Sequence, residues 1–173
     1  IAAFITISEQ LGVPFNLLKE VQRINATQKE RFLKGIRDAL WVLRDKKIAV
    51  WGLTFKPDTD DIRSSVAIEL VAEMLREGAH VTAYDPKGMD KAREVKSIAG
   101  ARLTVTALEA VEDAEALIIA TEWAEFANVD LETVREKMHT PLIFDGRNLY
   151  DPETMRKLGF HYTSVGRPRT SPA

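Results

Sequence analysis

The chain has no cysteine, which rules out disulfides, thiolate metal sites and a cysteine nucleophile supplied by these 173 residues. Histidine is scarce. His80, His139 and His161 stand far apart, without metal-ligand spacing, and each reads as a strand-edge or surface residue. No apolar run approaches the roughly 20 residues that cross a bilayer as a helix, so no membrane partner is expected. Neither sign of charge dominates: 24 lysines and arginines oppose 26 aspartates and glutamates, scattered along the chain. A general nucleic-acid binder would carry a basic stripe, so no nucleic-acid partner is expected either. Neither a Ser-His-Asp arrangement nor H-E-x-x-H occurs, and no metal site is predicted.

With 45% hydrophobic and 29% charged residues, the composition is that of a globular protein large enough to bury one ordinary core. Ile1 to Leu11 reads as a short apolar helix, stopped by Gly12-Val13-Pro14. From 15 to 43 a single helical pattern follows. Val21, Ile24, Gln28, Phe32, Ile36, Leu40 and Leu43 recur at three or four, the spacing of one helix face. The chain opens on Ile1 inside an apolar helix rather than on Met, and is expected to be a fragment.

From Lys46 the pattern alternates. Strands are predicted at 48–51, 80–84, 102–105, 116–120, 142–144 and 160–164, with helices at 65–77, 87–96, 107–113, 131–138 and 152–158. Asp85-Pro86 and Asp151-Pro152 each set an acceptor before a proline that suits a first helical position. Thr106 with Glu109 reads as a capping box. Gly78 and Gly159 sit where C-cap glycines belong. The fold class is therefore α/β, a doubly wound, mostly parallel sheet preceded by a long helical segment. The expected divisions are a helical linker over 1–45, an α/β domain over 46–166 and a disordered tail over 167–173.

The richest stretch is Ile48 to Ser65, IAVWGLTFKPDTDDIRSS. A strand buried on both faces ends at Gly52, and Phe55-Lys56-Pro57 follows at its carboxyl end, where open α/β sheets bind ligands. Arg63 lies on the same loop. An aromatic, an ammonium and a guanidinium gathered there suit an anionic, phosphate-bearing ligand. Arg147, in Asp145-Gly146-Arg147-Asn148, is predicted to emerge at that same edge, with Gly146 allowing the turn. Lys56 has a plain alternative, pairing with Asp58 or Asp60; so do Arg63, with Asp60 or Asp61, and Arg147, with Asp145 or Asp151. The loop's carboxylates are read as holding Lys56 and Arg63 in place rather than a metal. Trp123 is read as core or pocket wall, and Asp85 as a helix cap. The turn after the first strand has one glycine where G-x-G-x-x-G has three, so this domain is Rossmann-like without the pyrophosphate cradle.

GLTFKPDTDDIRSS resembles the loop that opens the C-terminal domain of the UDP-glucose 6-dehydrogenase family of nucleotide-sugar dehydrogenases. Ala83-Tyr84-Asp85-Pro86, Thr121-Glu122-Trp123-Ala124-Glu125-Phe126 and Phe144-Asp145-Gly146-Arg147-Asn148 resemble further segments of the same domain, in the same order. The chain departs from the family at Val66, where a proline usually opens the helix.

The resemblance implies a cytoplasmic enzyme that oxidises C6 of UDP-glucose twice, reducing two NAD+, through a cysteine thiolate upstream of Ile1. It implies that Phe55, Lys56 and Arg147 contact the UDP-sugar, and that Arg63 reaches NAD held by another domain. It also implies a homodimer built through the helix 15–43. The chain by itself is then expected to be catalytically inactive and a weak binder of UDP or a UDP-sugar. Three other readings stay open: a dehydrogenase for a UDP-N-acetylhexosamine or GDP-mannose, a non-catalytic assembly module, and a phosphoacceptor domain.

Overall fold

The computed structural model describes residues 1–172. They divide into two compact units, residues 1–39 and the chain from Leu40 onward. The first holds α1 (Ala2–Gln10) and α2 (Asn16–Leu40). Gly12, at φ 68°, ends the first helical run, and Lys19 pairs with Glu9 at 2.6 Å. At 25 residues, α2 is about 38 Å long. It stops three residues short of the predicted end because Trp41 turns left-handed, at φ 63°. Apolar side chains stay uncovered in this unit: Phe4 is 66%, Leu17 68% and Ile24 45% exposed.

The second unit is a six-stranded sheet of β1 (Lys47–Trp51), β2 (His80–Tyr84), β3 (Arg102–Leu103), β4 (Ala116–Ile119), β5 (Leu142–Asp145) and β6 (His161–Ser164). The strand order is β3-β2-β1-β4-β5-β6, with every pairing parallel. This is the doubly wound order, reversing direction between β1 and β4. Central strands covered on both faces need continuous apolar runs, and β4 and all of β1 after Lys47 are buried.

In register, Ala49 faces Leu117, Trp51 faces Ile119 and Leu117 faces Ile143, so these residues share one face. That face packs against α5 (Ala107–Ala110), α6 (Ala124–Ala127), α7 (Leu131–Lys137) and α8 (Pro152–Lys157) through Ala110, Phe126, Val134 and Met155. Trp51 stacks on Phe126 with centroids 5.0 Å apart. α3 (Val66–Arg76) packs on β2 and buries Leu70, Val71 and Met74.

Several predicted elements contract. The helix expected over 87–96 is α4 (Met89–Arg93) followed by a 3-10 turn, Lys96–Ile98. The strand expected over 102–105 is two residues long, although the Thr104 N–H still bonds the Ala83 carbonyl at 3.0 Å. The capping box is half formed. Thr106 accepts from the Glu109 N–H, but Glu109 returns to the N–H of Val105. The Asp151-Pro152 cap forms as predicted, with Asp151 accepting from Thr154 N–H at 2.8 Å. The expected disordered tail is instead tied back. Tyr162 and Thr170 exchange two backbone hydrogen bonds, and Arg167 donates to the Tyr150 carbonyl at 3.1 Å. Ala173 lies outside the described residues.

Candidate functional site

β1 and β4 are neighbours at the reversal in strand order, and the loops at their carboxyl ends lie at the edge where doubly wound sheets take ligands. Gly52 shapes the first of these loops. It sits at φ 90°, and a Cβ there would lie 2.4 Å from the Thr121 Cβ and 2.7 Å from its backbone nitrogen. Both the conformation and the close approach of β4's loop therefore require glycine. The chain then passes through Thr54, whose carbonyl accepts from the Thr121 hydroxyl at 2.7 Å. Phe55 follows, closing the loop with a 2.8 Å bond from its N–H to the Asp61 carbonyl.

Phe55 emerges half exposed, at 52%, and Lys56 is exposed. Among the described residues the Lys56 ammonium has no ion pair. The carboxylates read as holding it are engaged elsewhere: Asp60 pairs with Lys91 at 2.8 Å, and Asp61 with Arg63 at 2.8 Å. Asp61 also accepts from the Arg63 N–H and Nε, and these hydrogen bonds hold its carboxyl well below the usual range. The same pairing raises the Arg63 guanidinium's pKa. The ion-pair reading of Arg63 is thus the arrangement present, while its side chain stays 88% exposed. Asp58 and Ser64, both left-handed, bound the segment that carries these groups.

Arg147 arrives from the loop after β5. Its Nε donates to the Ala120 carbonyl at 2.7 Å, its Nη2 donates to the Phe55 carbonyl at 3.3 Å, and Glu122 lies 3.2 Å from Nε. Neither Asp145 nor Asp151 pairs with this guanidinium. Asp145 instead accepts from the Arg147 backbone N–H at 2.8 Å and those of Leu149 and Tyr150, and from the Tyr162 hydroxyl at 2.6 Å. The left-handed residue of this turn is Asn148, at φ 57°, not Gly146, whose N–H still bonds Ile119 in the ladder. Asparagine tolerates that region better than most side chains.

So Phe55, Lys56 and Arg147 share one sheet edge, with the Arg147 guanidinium bonded to the residue just before Lys56. Two cations at this carboxyl edge of the sheet can hold a diphosphate. Trp123 is 5% exposed, a buried wall residue with the Lys87 ammonium 5.7 Å over its ring.

Sequence reasoning missed what Asp85 does. It is fully buried and accepts from six donors: two, the Lys87 and Gly88 N–H groups, are cap-like bonds to the turn before α4, and four come from the loops after β1 and β4. This bears on NAD. A dinucleotide fold uses the acid at the end of its second strand for the ribose, and three glycines for the pyrophosphate. Here that acid is enclosed and one glycine is present, so this domain's own residues do not fit NAD in the usual mode. A cavity of about 360 Å³ does exist, but it opens at the amino-terminal end of β1–β3, among Lys47, His80, Arg102 and Asp113, away from the switch point.

Comparisons with known proteins agree with this geometry. The chain is 40% identical, over 98% of its length, to the UDP-glucose 6-dehydrogenase of Pseudomonas aeruginosa, and spans 38% of that relative. A solved UDP-glucose dehydrogenase from Pyrobaculum islandicum superposes with a TM-score of 0.73 at 32% identity, over 85% of this chain and 32% of that one. A solved UDP-D-ManNAc dehydrogenase from Pyrococcus horikoshii also gives 0.73, at 29% identity, over 88% of this chain and 34% of that one. Residues 49–152, which include every residue of the candidate edge, match the family model described as the UDP-glucose/GDP-mannose dehydrogenase family, UDP binding domain. The chain therefore belongs to the UDP-glucose/GDP-mannose dehydrogenase family, and carries its UDP binding domain.

Proposed function

We propose that these residues are the nucleotide-sugar grip of an NAD-dependent UDP-glucose 6-dehydrogenase that converts UDP-glucose to UDP-glucuronate. The carrying observation is the Arg147 guanidinium bonded across the switch point to the Phe55 carbonyl, beside a Lys56 that has no ion pair among the described residues. Arg147 and Lys56 would face the diphosphate, and the half-exposed Phe55 ring would pack against the nucleotide. Binding energy gathered on this remote half of the substrate places the reacting carbon. The chain's own turn does not fit NAD, so NAD would be held outside these residues. Arg63, with its exposed guanidinium, is the group here proposed to reach it.

The division into a helical linker over 1–45 and a UDP-sugar domain from 46 is part of the same reading. The uncovered Phe4, Leu17 and Ile24 support a homodimer built through the helical segment. A second sugar is favoured by one observation: a dehydrogenase of UDP-D-ManNAc superposes as well as one of UDP-glucose.

Calorimetric titration of UDP into the chain tests the grip. Saturable binding that weakens in Lys56→Ala and in Arg147→Ala is expected. Binding unchanged by both would leave an assembly module as the better reading. These residues alone are expected to yield no NADH from UDP-glucose and NAD+; turnover by the isolated chain would overturn the division of labour.

A further inference from the structure

We propose that Asp85 is a positioning residue for the ligand edge: its enclosed carboxylate fixes residues 53–56, and with them Phe55 and Lys56. The inference rests on the UDP-binding reading of that edge. Lys56 has no side-chain ion pair among the described residues, so backbone anchors decide where its ammonium stands.

Those anchors converge on one group. Asp85 Oδ2 accepts from Leu53 N–H at 2.7 Å, Thr54 N–H at 3.0 Å, the Thr54 hydroxyl at 3.0 Å and the Trp123 indole N–H at 3.1 Å. Oδ1 accepts from Lys87 N–H at 2.9 Å and Gly88 N–H at 2.7 Å. One carboxylate thus joins the loops after β1, β2 and β4, three neighbouring strands of the sheet. All six partners are donors, so only a group that accepts on both oxygens satisfies them; an amide would turn N–H groups toward N–H groups. The loops also touch at Gly88, where a Cβ would lie 2.7 Å from the Thr54 Cγ2.

This position is the one from which an ordinary dinucleotide fold reads a ribose. Here the acid has turned inward, and its work has changed from touching the ligand to aiming the neighbouring loop. A carboxylate that merely filled the core would have no bearing on UDP affinity beyond its effect on stability.

The test compares UDP titrations of the wild-type chain with Asp85→Asn, Thr54→Val and Thr104→Val. Thr104 is an equally buried threonine whose hydroxyl bonds only to the Ala83 and Thr106 carbonyls, and it serves as control. Losing one hydrogen bond to a charged group is expected to raise the Kd about tenfold in Thr54→Val, and more in Asp85→Asn, with Thr104→Val within about twofold. Wild-type affinity in Thr54→Val and Asp85→Asn, or an equal loss in Thr104→Val, overturns the proposal. Should Asp85→Asn fail to fold, Thr54→Val decides. Should the wild-type chain take up no UDP, the ligand reading falls by itself, and amide exchange then decides the positioning claim. Faster exchange at residues 53–56 in Thr54→Val, with β5 and β6 unchanged, upholds it; exchange equal to wild type ends it.

Discussion

The Arg147 guanidinium reaches the carbonyl oxygen of Phe55, 92 positions earlier in the chain, at 3.3 Å. That bond ties the loop after β5 to the loop after β1, over the top of β4. It brings a permanent cation to the backbone beside Lys56, at the carboxyl edge of the sheet where strand order reverses.

Arg147→Lys is expected to behave like Arg147→Ala in UDP titrations, because a compact ammonium lacks the planar fork whose separate nitrogens reach Ala120 and Phe55 and leave further N–H groups for a phosphate. Lys56→Ala should lose about 1.5–3 kcal/mol of binding, the range for a charge-assisted hydrogen bond, or about tenfold to a hundredfold in Kd. Isothermal calorimetry reads both. Full rescue by lysine at 147 would refute the planar-fork role.

Gly52→Ala should be among the most damaging single changes in the domain. A left-handed backbone costs an ordinary residue about 1–2 kcal/mol, and overpacking against Thr121 adds about 1–3 kcal/mol. A urea-unfolding series should show a loss of about 2–5 kcal/mol. A loss under about 1 kcal/mol would mean that the two loops part easily.

Asp145→Asn and Tyr162→Phe probe the second anchor. Tyr162→Phe deletes one donor to a buried carboxylate and should cost about 1.5–3 kcal/mol. Asp145→Asn should cost more, since the Arg147, Leu149 and Tyr150 N–H groups also converge there. Equal unfolding midpoints for the two variants would show that the backbone bonds contribute nothing.

Alkaline stability should carry the mark of Tyr84. Burial first, and then its 3.2 Å bond to Glu125, push this phenol up to about 12 from an ordinary 10.0. The folded value lies above the unfolded one, so the unfolded chain loses its proton first. The contribution is complete below about pH 10, falls between about 10 and 12, and is gone above. Burial raises Tyr150 and Tyr162 as well, and acts in the same direction. Tyr84→Phe should flatten the fall in urea midpoint over that window; an unchanged slope would contradict the assignment.

Much of this was legible in the residues. Uninterrupted apolar runs such as Ala116-Leu117-Ile118-Ile119 announce strands covered on both faces, and helical periodicity between them announces the crossovers. Short elements were less legible. The 3-10 turn at Lys96–Ile98 and the helix Ala124–Ala127 carry too few residues to show a period, and packing against the sheet decides them.

By itself, the sequence determined the alternation of strand and helix, the glycine at the first turn, and the family to which four ordered motifs belong. Only the tertiary structure decided which charges meet. Asp60 took Lys91, which leaves Lys56 without an ion pair among the described residues, and Arg147 chose Glu122 and two carbonyls over its near neighbours in the chain. Asp85, read along the chain as a helix cap, is also the buried anchor of two further loops. Pairings of this kind depend on strand order and on which loops share an edge, and no spacing along a linear chain encodes a distance across a sheet.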